Sequence, residues 1–299
     1  MVFLAQAIKK GNFGIDGVEE ILHKYNELWK MCTMNATLST LIEKLGNLGI
    51  AEAKVIPWGC PVPSFGDLSR SRIATLGLNP SNREFVDEAG NELDGTARRF
   101  HTLTSLGLNH WSDASPKHLE LIMESCRAYF LRNPYDGWFR QLEHIISGTE
   151  ASYYDTTAQA CHLDLIPYAT ACKWTGLSLD ERRALLKVAG DALGHLLKDS
   201  PVRVLILNGR SVVEQFQQMA KVCLEKRVMP RWALRRGGDS RVAGFAYKGK
   251  VKMLEGIKFR REILALGFNH NIQSSFGVTT EVRAAIRNWI TDEVKGFSI

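Results

Sequence analysis

Polar side chains that could act on a substrate follow one of the most apolar stretches of this chain. Asn79 and Ser81 come directly after the strand-like run 72–76, and Gly77 and Pro80 mark the point where that strand ends in a loop. Ligands of open α/β sheets bind outside the carboxyl ends of the strands, so we expect Asn79 and Ser81 to face a crevice. An amide there can orient a water molecule or donate a hydrogen bond to a negatively charged leaving group. The alternative is an ordinary turn from a strand into a helix.

Two later stretches repeat this pattern of an apolar run followed by polar residues. Asp164 lies near the end of the run Cys161 to Pro167, and Asn269 and His270 follow the run Glu262 to Phe268. An amide and an imidazole can both donate hydrogen bonds, whereas an ionised carboxylate only accepts them. Catalysis by a Ser–His or Cys–His pair also stays open, because such partners meet only in three dimensions.

The composition is that of a folded, soluble protein, with 45% hydrophobic and 23% charged residues among 299. No apolar run reaches the roughly 18 residues that span a bilayer. The N-terminal segment is too short and too soon charged for a secretory signal, so we expect a cytoplasmic protein, and we expect it to be a monomer. No pair of cysteines has the Cys-x-x-Cys spacing, and no Walker loop or Gly-x-Gly-x-x-Gly follows a strand. We therefore expect no metal, no nucleotide cofactor and no membrane partner.

The positive charge of the chain is concentrated between Lys226 and Lys252. This segment holds nine basic residues and one acid, whereas the whole chain has a net charge of +6. Its glycines make it loop-like or hairpin-like, and its aromatic residues alternate with the charges, as in surfaces that bind a phosphate backbone and stack on bases. We expect it to bind phosphate groups; the alternative is a solvated basic loop. The candidate contacts are Arg231, Arg235, Arg236, Arg241 and Lys248.

Buried-type strands alternate with helices along the chain. The predicted strands are 72–76, 161–167, 202–208 and 262–268, and the predicted helices include 96–107, 178–197 and 279–293, with two more within 12–49. This order predicts an α/β fold, a three-layer sandwich with a central four-stranded parallel sheet plus N-terminal helices. Residues 1–55 would form a helical extension packed on the core, and residues 56–299 the α/β domain.

Three separated motifs resemble the uracil-DNA glycosylase superfamily. They are Leu76-Gly-Leu-Asn-Pro-Ser81, Arg98-Arg-Phe-His-Thr-Leu103 and Leu106-Gly107, and they are followed by a less similar loop, Phe268-Asn-His-Asn-Ile-Gln-Ser-Ser275. The first is similar to the Gly-Ile-Asn-Pro-Gly and Gly-Met-Asn-Pro-Gly motifs of that family. The last stands where the family has a His-Pro-Ser-like or Asn-Pro-Ser-like motif, and it lacks the proline. The resemblance covers about residues 56 to 289 and implies a glycosylase that hydrolyses the N-glycosidic bond of a base flipped out of DNA.

The resemblance also implies a role for each motif residue. Asn79 would position the hydrolytic water, and either Asn269 or His270 would assist the leaving group. The residues that would contact the substrate are Pro80, Ser81, Phe100, Asp164, Ile272 and Gln273, with Phe100 stacking on the base and Ile272 filling the gap in the duplex. The basic segment would hold the backbone of double-stranded or single-stranded DNA. Glu84 or Asp87 could assist the water; the alternative is that both are solvated loop acids.

Asp164 bears on which base is released. The family usually has asparagine at this place, which suits uracil, whereas a carboxylate accepts a hydrogen bond from the N4 amine of cytosine. Because unmodified cytosine would be a lethal target, the sequence favours a modified form, such as glucosylated hydroxymethylcytosine in phage DNA, and hence antiviral defence. Three alternatives stay open: removal of uracil or a mismatched base in DNA repair, a catalytically silent DNA-binding protein, and a purely structural role for Asp164.

Overall fold

The computed structural model describes residues 34–46, 50, 52–157, 159–235, 241–273 and 277–297. The strands of its central sheet are β1 (Ile73–Gly77), β2 (Ala160–Asp164), β3 (Val204–Asn208), β4 (Glu225–Val228), β7 (Phe245–Leu254) and β8 (Ile257–Phe268). Within the described residues this sheet has six strands, in the order β2-β1-β3-β8-β7-β4. A separate ribbon pairs two short strands, β5 (Leu234–Arg235) and β6 (Arg241–Val242).

Four of the six strands, β2, β1, β3 and β8, are parallel. Every residue of β1, β2 and β3 is buried. This double-sided burial is why their apolar positions are continuous rather than alternating. The predicted α/β fold with a mostly parallel sheet is confirmed, and the carboxyl ends of these strands lie at one edge.

The sheet has six strands rather than the predicted four, because β7 and β4 extend it as antiparallel strands beyond β8. Glu255 and Gly256 turn the chain between β7 and β8 with φ angles of 45° and 80°. The first part of β8 is largely exposed and the second part is buried. A half-exposed antiparallel strand carries charged residues on its solvent face. In β7 these residues are lysines, and for this reason its sequence resembles that of a basic loop.

The described helices lie outside the sheet. They are 34–44 (α1), Leu103–Leu106 (α2), Pro116–Arg127 (α3), Asp136–Ile146 (α4), Leu179–Ala189 (α5), Ala192–Lys198 (α6), Arg210–Ala220 (α7) and Thr280–Lys295 (α8). The predicted helix 178–197 is divided between α5 and α6. The predicted helix 96–107 is wrong in its first half. Thr102 caps α2 through a hydrogen bond from the Ser105 amide (3.0 Å), and Leu103 N bonds to the Trp58 carbonyl (2.9 Å), so the helix begins only at Leu103.

One of the two predicted N-terminal helices is α1, which packs on the α/β core through Leu38 and Leu41. The Tyr168 hydroxyl donates to the Leu41 carbonyl (2.7 Å), and Lys44 pairs with Asp191 at 2.8 Å. The other predicted helix lies outside the described residues. Among the residues that are described, no helix is long and apolar enough to cross a membrane.

Candidate active site

The carboxyl ends of the parallel strands bring two polar side chains together across a glycine. Gly77 in β1 is aligned with Asp164 in β2. On the other side of β1, Leu76 is aligned with Leu207 of β3. The next residue of β3, Asn208, therefore lies level with Gly77. Asp164 and Asn208 are both buried, and a Cβ atom on Gly77 would clash with Asp164 Oδ1. Because Gly77 has no side chain, the Asp164 carboxylate can occupy the space beside it.

A chain of polar contacts runs from Asp164 into the sheet. His162 Nε2 lies 3.5 Å from Asp164 Oδ1, and His162 Nδ1 lies 2.7 Å from the Thr75 hydroxyl. That hydroxyl is also hydrogen-bonded to the Tyr153 hydroxyl at 2.5 Å. All four side chains are buried, and burial raises the pKa of Tyr153 well above its ordinary value, so the phenol stays protonated. These contacts fix the imidazole ring beside the carboxylate.

The Asn79 amide is held through its nitrogen. Nδ2 donates to Thr170 Oγ1 (2.9 Å) and to the carbonyls of Pro80 (3.1 Å) and Tyr168 (3.4 Å). The Thr170 hydroxyl in turn donates to the Cys172 carbonyl (2.7 Å), so its lone pairs face the amide. Within the described part of the chain no hydrogen bond engages Asn79 Oδ1. The amide is oriented, and its oxygen is left to accept a hydrogen bond from water.

Glu84 is a buried carboxyl just after this loop. It is 3% exposed, its Oε2 accepts from the Tyr129 hydroxyl at 2.7 Å, and Arg99 Nε lies 3.9 Å away. Burial raises the pKa of Glu84 to about 7, the negative charge of Asp164 adds to the rise, and Tyr129 and Arg99 oppose it. The interpretation as a solvated loop acid is therefore wrong for Glu84.

Asp87, the other acid of this loop, has a local role. Its pKa is lowered because its carboxylate accepts hydrogen bonds from the backbone and side chain of Asn91. Ser81 is exposed and caps the turn Asn82–Glu84 by accepting from the Arg83 amide. These two polar side chains stabilise the loop.

Phe100 belongs to an aromatic layer in the core. It is 1% exposed, its ring stacks on Tyr129 with a centroid distance of 5.2 Å and an angle of 14°, and the edge of Phe65 meets it at 5.3 Å. The structure thus differs from the predicted open stacking platform, since both faces of the ring lie within the protein. Trp138 is the half-buried ring beside the polar chain, with its centroid 4.9 Å from that of His162.

The two candidate leaving-group residues are both engaged in structural contacts. Asn269 Oδ1 accepts from the Phe245 amide (2.7 Å) and Nδ2 donates to the Ala243 carbonyl (2.8 Å). His270 is 2% exposed, and its Nε2 donates to the Trp232 carbonyl (2.7 Å). These bonds fasten the loop after β8 to the chain around β7.

The rest of that loop is joined to the end of β3. Asn208 Nδ2 donates to Gln273 Oε1 (2.8 Å), and Asn208 Oδ1 accepts from the Ile272 amide (3.3 Å). Gln273 Nε2 reaches the Trp138 carbonyl at 3.4 Å. Ile272 is 4% exposed, so the structure buries the side chain that was expected to enter DNA, while Gln273 is held close to Trp138. Ser274 and Ser275 lie outside the described residues.

A basic ribbon, residues 231–235 and 241–242, lies beside this loop. Arg231, Arg235 and Arg241 are exposed, and Arg235 is directly opposite Arg241 in the antiparallel pair. Like charges in such a pair repel each other, so an anion between them would be stabilising. The Arg235 carbonyl packs against Gly277, which places the ribbon next to the loop at the carboxyl edge. Arg236 falls outside the described residues.

Three lysines of the predicted segment have carboxylate partners. Lys248 pairs with Glu293 on α8 at 2.5 Å, and Lys250 and Lys252 share Glu262 on β8 at 3.2 and 3.6 Å. Lys248 is therefore a weaker candidate for a phosphate contact than the arginines of the basic ribbon.

Comparison with known proteins adds no family assignment. The chain matches no family model, and no curated protein matches it significantly. The site therefore has to be interpreted from its own geometry.

Several residues of the site were not singled out in the sequence. Asn208 is the last residue of a buried strand, and that position is the signal that could have found it. Thr170 and Trp138 stand in loop-like sequence and carry no comparable signal, because their importance depends on contacts with Asn79 and His162.

Glu84 predicts a measurable pH dependence of stability. Its pKa is 4.5 when exposed and about 7 in the fold, so the folded state holds a proton that the unfolded state has lost. Stability should therefore fall as the pH rises from 4.5 towards 7 and level off above, at a slope of up to about 1.4 kcal/mol per pH unit. Denaturant unfolding of Glu84→Gln should lack this component. Glu88→Gln, at a neighbouring carboxylate that is 98% exposed, should keep it; equal pH profiles for wild type and Glu84→Gln would contradict the assignment.

Proposed function

We propose that the protein is a monofunctional DNA glycosylase, a hydrolase that cleaves the N-glycosidic bond of a flipped-out base and leaves an abasic site. The observation that supports this most is the Asn79 amide, whose nitrogen is fixed by Thr170 and whose oxygen accepts no hydrogen bond from the residues that the structure describes. It stands at the same sheet edge as the enclosed carboxylate of Asp164. The proposal includes a cytoplasmic monomer with the three-layer arrangement expected from the sequence.

The chemistry needs a placed water on one side of the sugar and hydrogen-bonding groups on the base at the other. The transition state is oxocarbenium-like, so a water that is oriented, without being strongly deprotonated, is sufficient. Asn79 supplies the orientation. Glu84 has a pKa of about 7, which suits a group that exchanges a proton at neutral pH, and in this proposal it assists by taking up a proton from the site.

Asp164 points to the class of base. Its carboxylate offers acceptors, which match the N4 amine of cytosine and repel the O4 oxygen of uracil. His162 Nε2 lies 3.5 Å from Oδ1, and in this proposal Oδ2 accepts the hydrogen bond from the base. We therefore propose a modified cytosine, for example glucosylated hydroxymethylcytosine in phage DNA, as the substrate.

A second candidate is a catalytically silent DNA-binding protein of the same fold. Asn269 and His270 favour it, because the side-chain amide of the first and Nε2 of the second are used for backbone contacts. The burial of Phe100 points the same way. In this alternative the basic ribbon would bind DNA and no base would be released.

An abasic-site gel assay separates the two candidates. Duplex and single-stranded oligonucleotides carrying uracil, a mismatch, cytosine or glucosylated hydroxymethylcytosine are incubated with the protein and then treated with alkali. Strand scission at the modified cytosine supports the proposal. Binding without scission on every substrate supports the silent alternative.

The basic ribbon predicts where charge matters for DNA binding. Arg235→Gln with Arg241→Gln should weaken binding to all sequences alike and reduce the slope of log K against log salt by roughly 0.9 for each duplex phosphate that is no longer neutralised. The matched control is Lys250→Gln with Lys252→Gln, which removes the same charge from side chains already paired with Glu262. An unchanged salt slope in the first variant, or an equal change in both, would rule out a specific role for the ribbon.

A further inference from the structure

A second basic surface lies outside the segment that the sequence singled out. It is an open cleft of about 470 Å³ between residues 95–101 and the chain around 125–132. Among the described residues, its lining includes Arg98, Arg99 and Arg132, together with Thr96 and His101, and no acidic side chain. We refer to it as the arginine cleft.

The charges of the arginine cleft are only weakly compensated. Arg98 has its acidic partner, Asp94, at 3.5 Å, and that carboxylate is 90% exposed. Arg132 pairs with Glu124 at 3.2 Å, and both of these side chains are more than half exposed. Exposed ion pairs of this kind contribute little and yield readily to a better anion.

Arg99 forms a fixed wall of the arginine cleft. Its guanidinium donates to the carbonyls of Asn133 (2.8 Å) and Arg83 (2.7 Å). Its acidic neighbour is Glu84, 3.9 Å away, whose pKa of about 7 leaves that carboxyl partly protonated at neutral pH. The positive charge of Arg99 is thus held in place and incompletely neutralised.

The charges of the neighbouring arginines affect the pKa of His101. Its pKa is lowered to about 4, first by partial burial and then by the charges of Arg98 and Arg132, with Glu124 opposing. The ring is neutral at pH 7 and bonds to the Ser105 hydroxyl at 3.0 Å. An unprotonated imidazole near two guanidinium groups can donate or accept a hydrogen bond at the cleft without adding charge.

One backbone segment connects the arginine cleft to the candidate active site. Cys60 N donates to the His101 carbonyl (3.0 Å), and two residues later Val62 N donates to the Pro167 carbonyl (2.8 Å), which follows β2. One extended segment therefore joins the cleft to the loop after Asp164. An exposed aromatic ring, Tyr135, stands beside Arg99 with its centroid 5.6 Å from the guanidinium carbon.

We propose that the arginine cleft binds a phosphate group, and that in the setting of the proposed glycosylase this is a backbone phosphate of the DNA strand, distinct from those held by the basic ribbon. The identification of this phosphate as part of DNA rests on the proposed function. The proposal that the cleft binds an anion does not depend on that function. Planar guanidinium groups bind phosphate oxygens in pairs, and a basic groove beside an exposed aromatic ring is typical of surfaces that bind nucleic-acid strands.

The test measures binding rather than base release. Wild type, Arg98→Gln with Arg132→Gln, and Arg132→Gln alone are titrated with inorganic phosphate and with an undamaged single-stranded 12-mer. The single variant is included because the Arg132 side chain is 51% exposed and its loss leaves the fold intact. Arg183→Gln on α5, 75% exposed, is the charge-matched control for Arg132→Gln alone, since each removes one positive charge.

We expect the double variant to bind the 12-mer about tenfold more weakly, with a salt slope reduced by roughly 0.7 for each single-strand phosphate that is no longer neutralised, and Arg183→Gln to match wild type. Loss of inorganic phosphate binding with unchanged 12-mer binding would support the anion site but assign it to a free phosphate. Unchanged binding of both probes in the double variant, or a loss in Arg183→Gln equal to that in Arg132→Gln alone, would overturn the proposal. Since no base is released in these titrations, absence of glycosylase activity would contradict the proposed function and leave this result standing.

Discussion

Asn79→Ala is expected to reduce the single-turnover rate of base release by roughly a hundredfold, with little change in the affinity for DNA. The amide oxygen would act on the water only as the bond breaks, so its loss raises the barrier without removing ground-state contacts. The same variant frees the Thr170 hydroxyl from its contact with Nδ2 at 2.9 Å. Rates are measured with enzyme in excess over an oligonucleotide that carries the substrate base.

Two further variants give this experiment its controls. Asn82→Ala makes the same change three residues along the loop, at a side chain whose contact is a 3.4 Å hydrogen bond from Ser81, and should release base at the wild-type rate. Thr170→Val removes the acceptor that orients Asn79 and should give an intermediate rate with unchanged pH dependence. An Asn79→Ala enzyme with the wild-type single-turnover rate would eliminate Asn79 as the water-positioning residue.

The parallel part of the sheet was predictable because burial on both faces leaves a direct mark on the sequence. Continuous apolar runs gave β1 and β3 almost to the residue. The glycines of the basic segment allowed a hairpin there, but the addition of β7 and β4 to the central sheet was not predictable, since the alternating lysines resemble a solvated loop until their partners are known. Glu262 and Glu293, whose two carboxylates pair with three of those lysines, stand outside the segment whose charge was counted.

Residues of the site could be predicted from the sequence only where a polar residue directly follows or ends a buried strand. Asn79 and Asp164 stand at such ends, and the structure sets both at the carboxyl edge. Phe100 and Ile272 have residue types that suit an exposed role, but their exposure depends on packing with distant segments such as that of Tyr129. The pKa of Glu84 likewise depends on burial, on Tyr129 and on Asp164, none of which is local in sequence.

Asp164→Asn is expected to change which base is released. Both side chains have the same shape and fit the space left by Gly77, but the amide can donate to the O4 oxygen of uracil, where the carboxylate can only repel it. A mismatched polar pairing in an enclosed site costs about 1–3 kcal/mol, so the ratio of modified-cytosine to uracil release should fall by roughly one to two orders of magnitude. Wild type and variant are compared on oligonucleotides with uracil, cytosine or glucosylated hydroxymethylcytosine.

The competing explanation is that Asp164 only holds His162, whose Nε2 lies 3.5 Å from Oδ1. In that case Asp164→Asn would shift the orientation of the ring and change the release of every base by the same factor, leaving their ratio intact. Asp180→Asn, at a carboxylate that is 92% exposed, controls for the loss of one negative charge and should alter neither rate nor ratio. A wild-type enzyme that releases uracil efficiently and leaves modified cytosine untouched would refute the base assignment, because a buried acceptor-only side chain would then be reading a base that presents an acceptor to it.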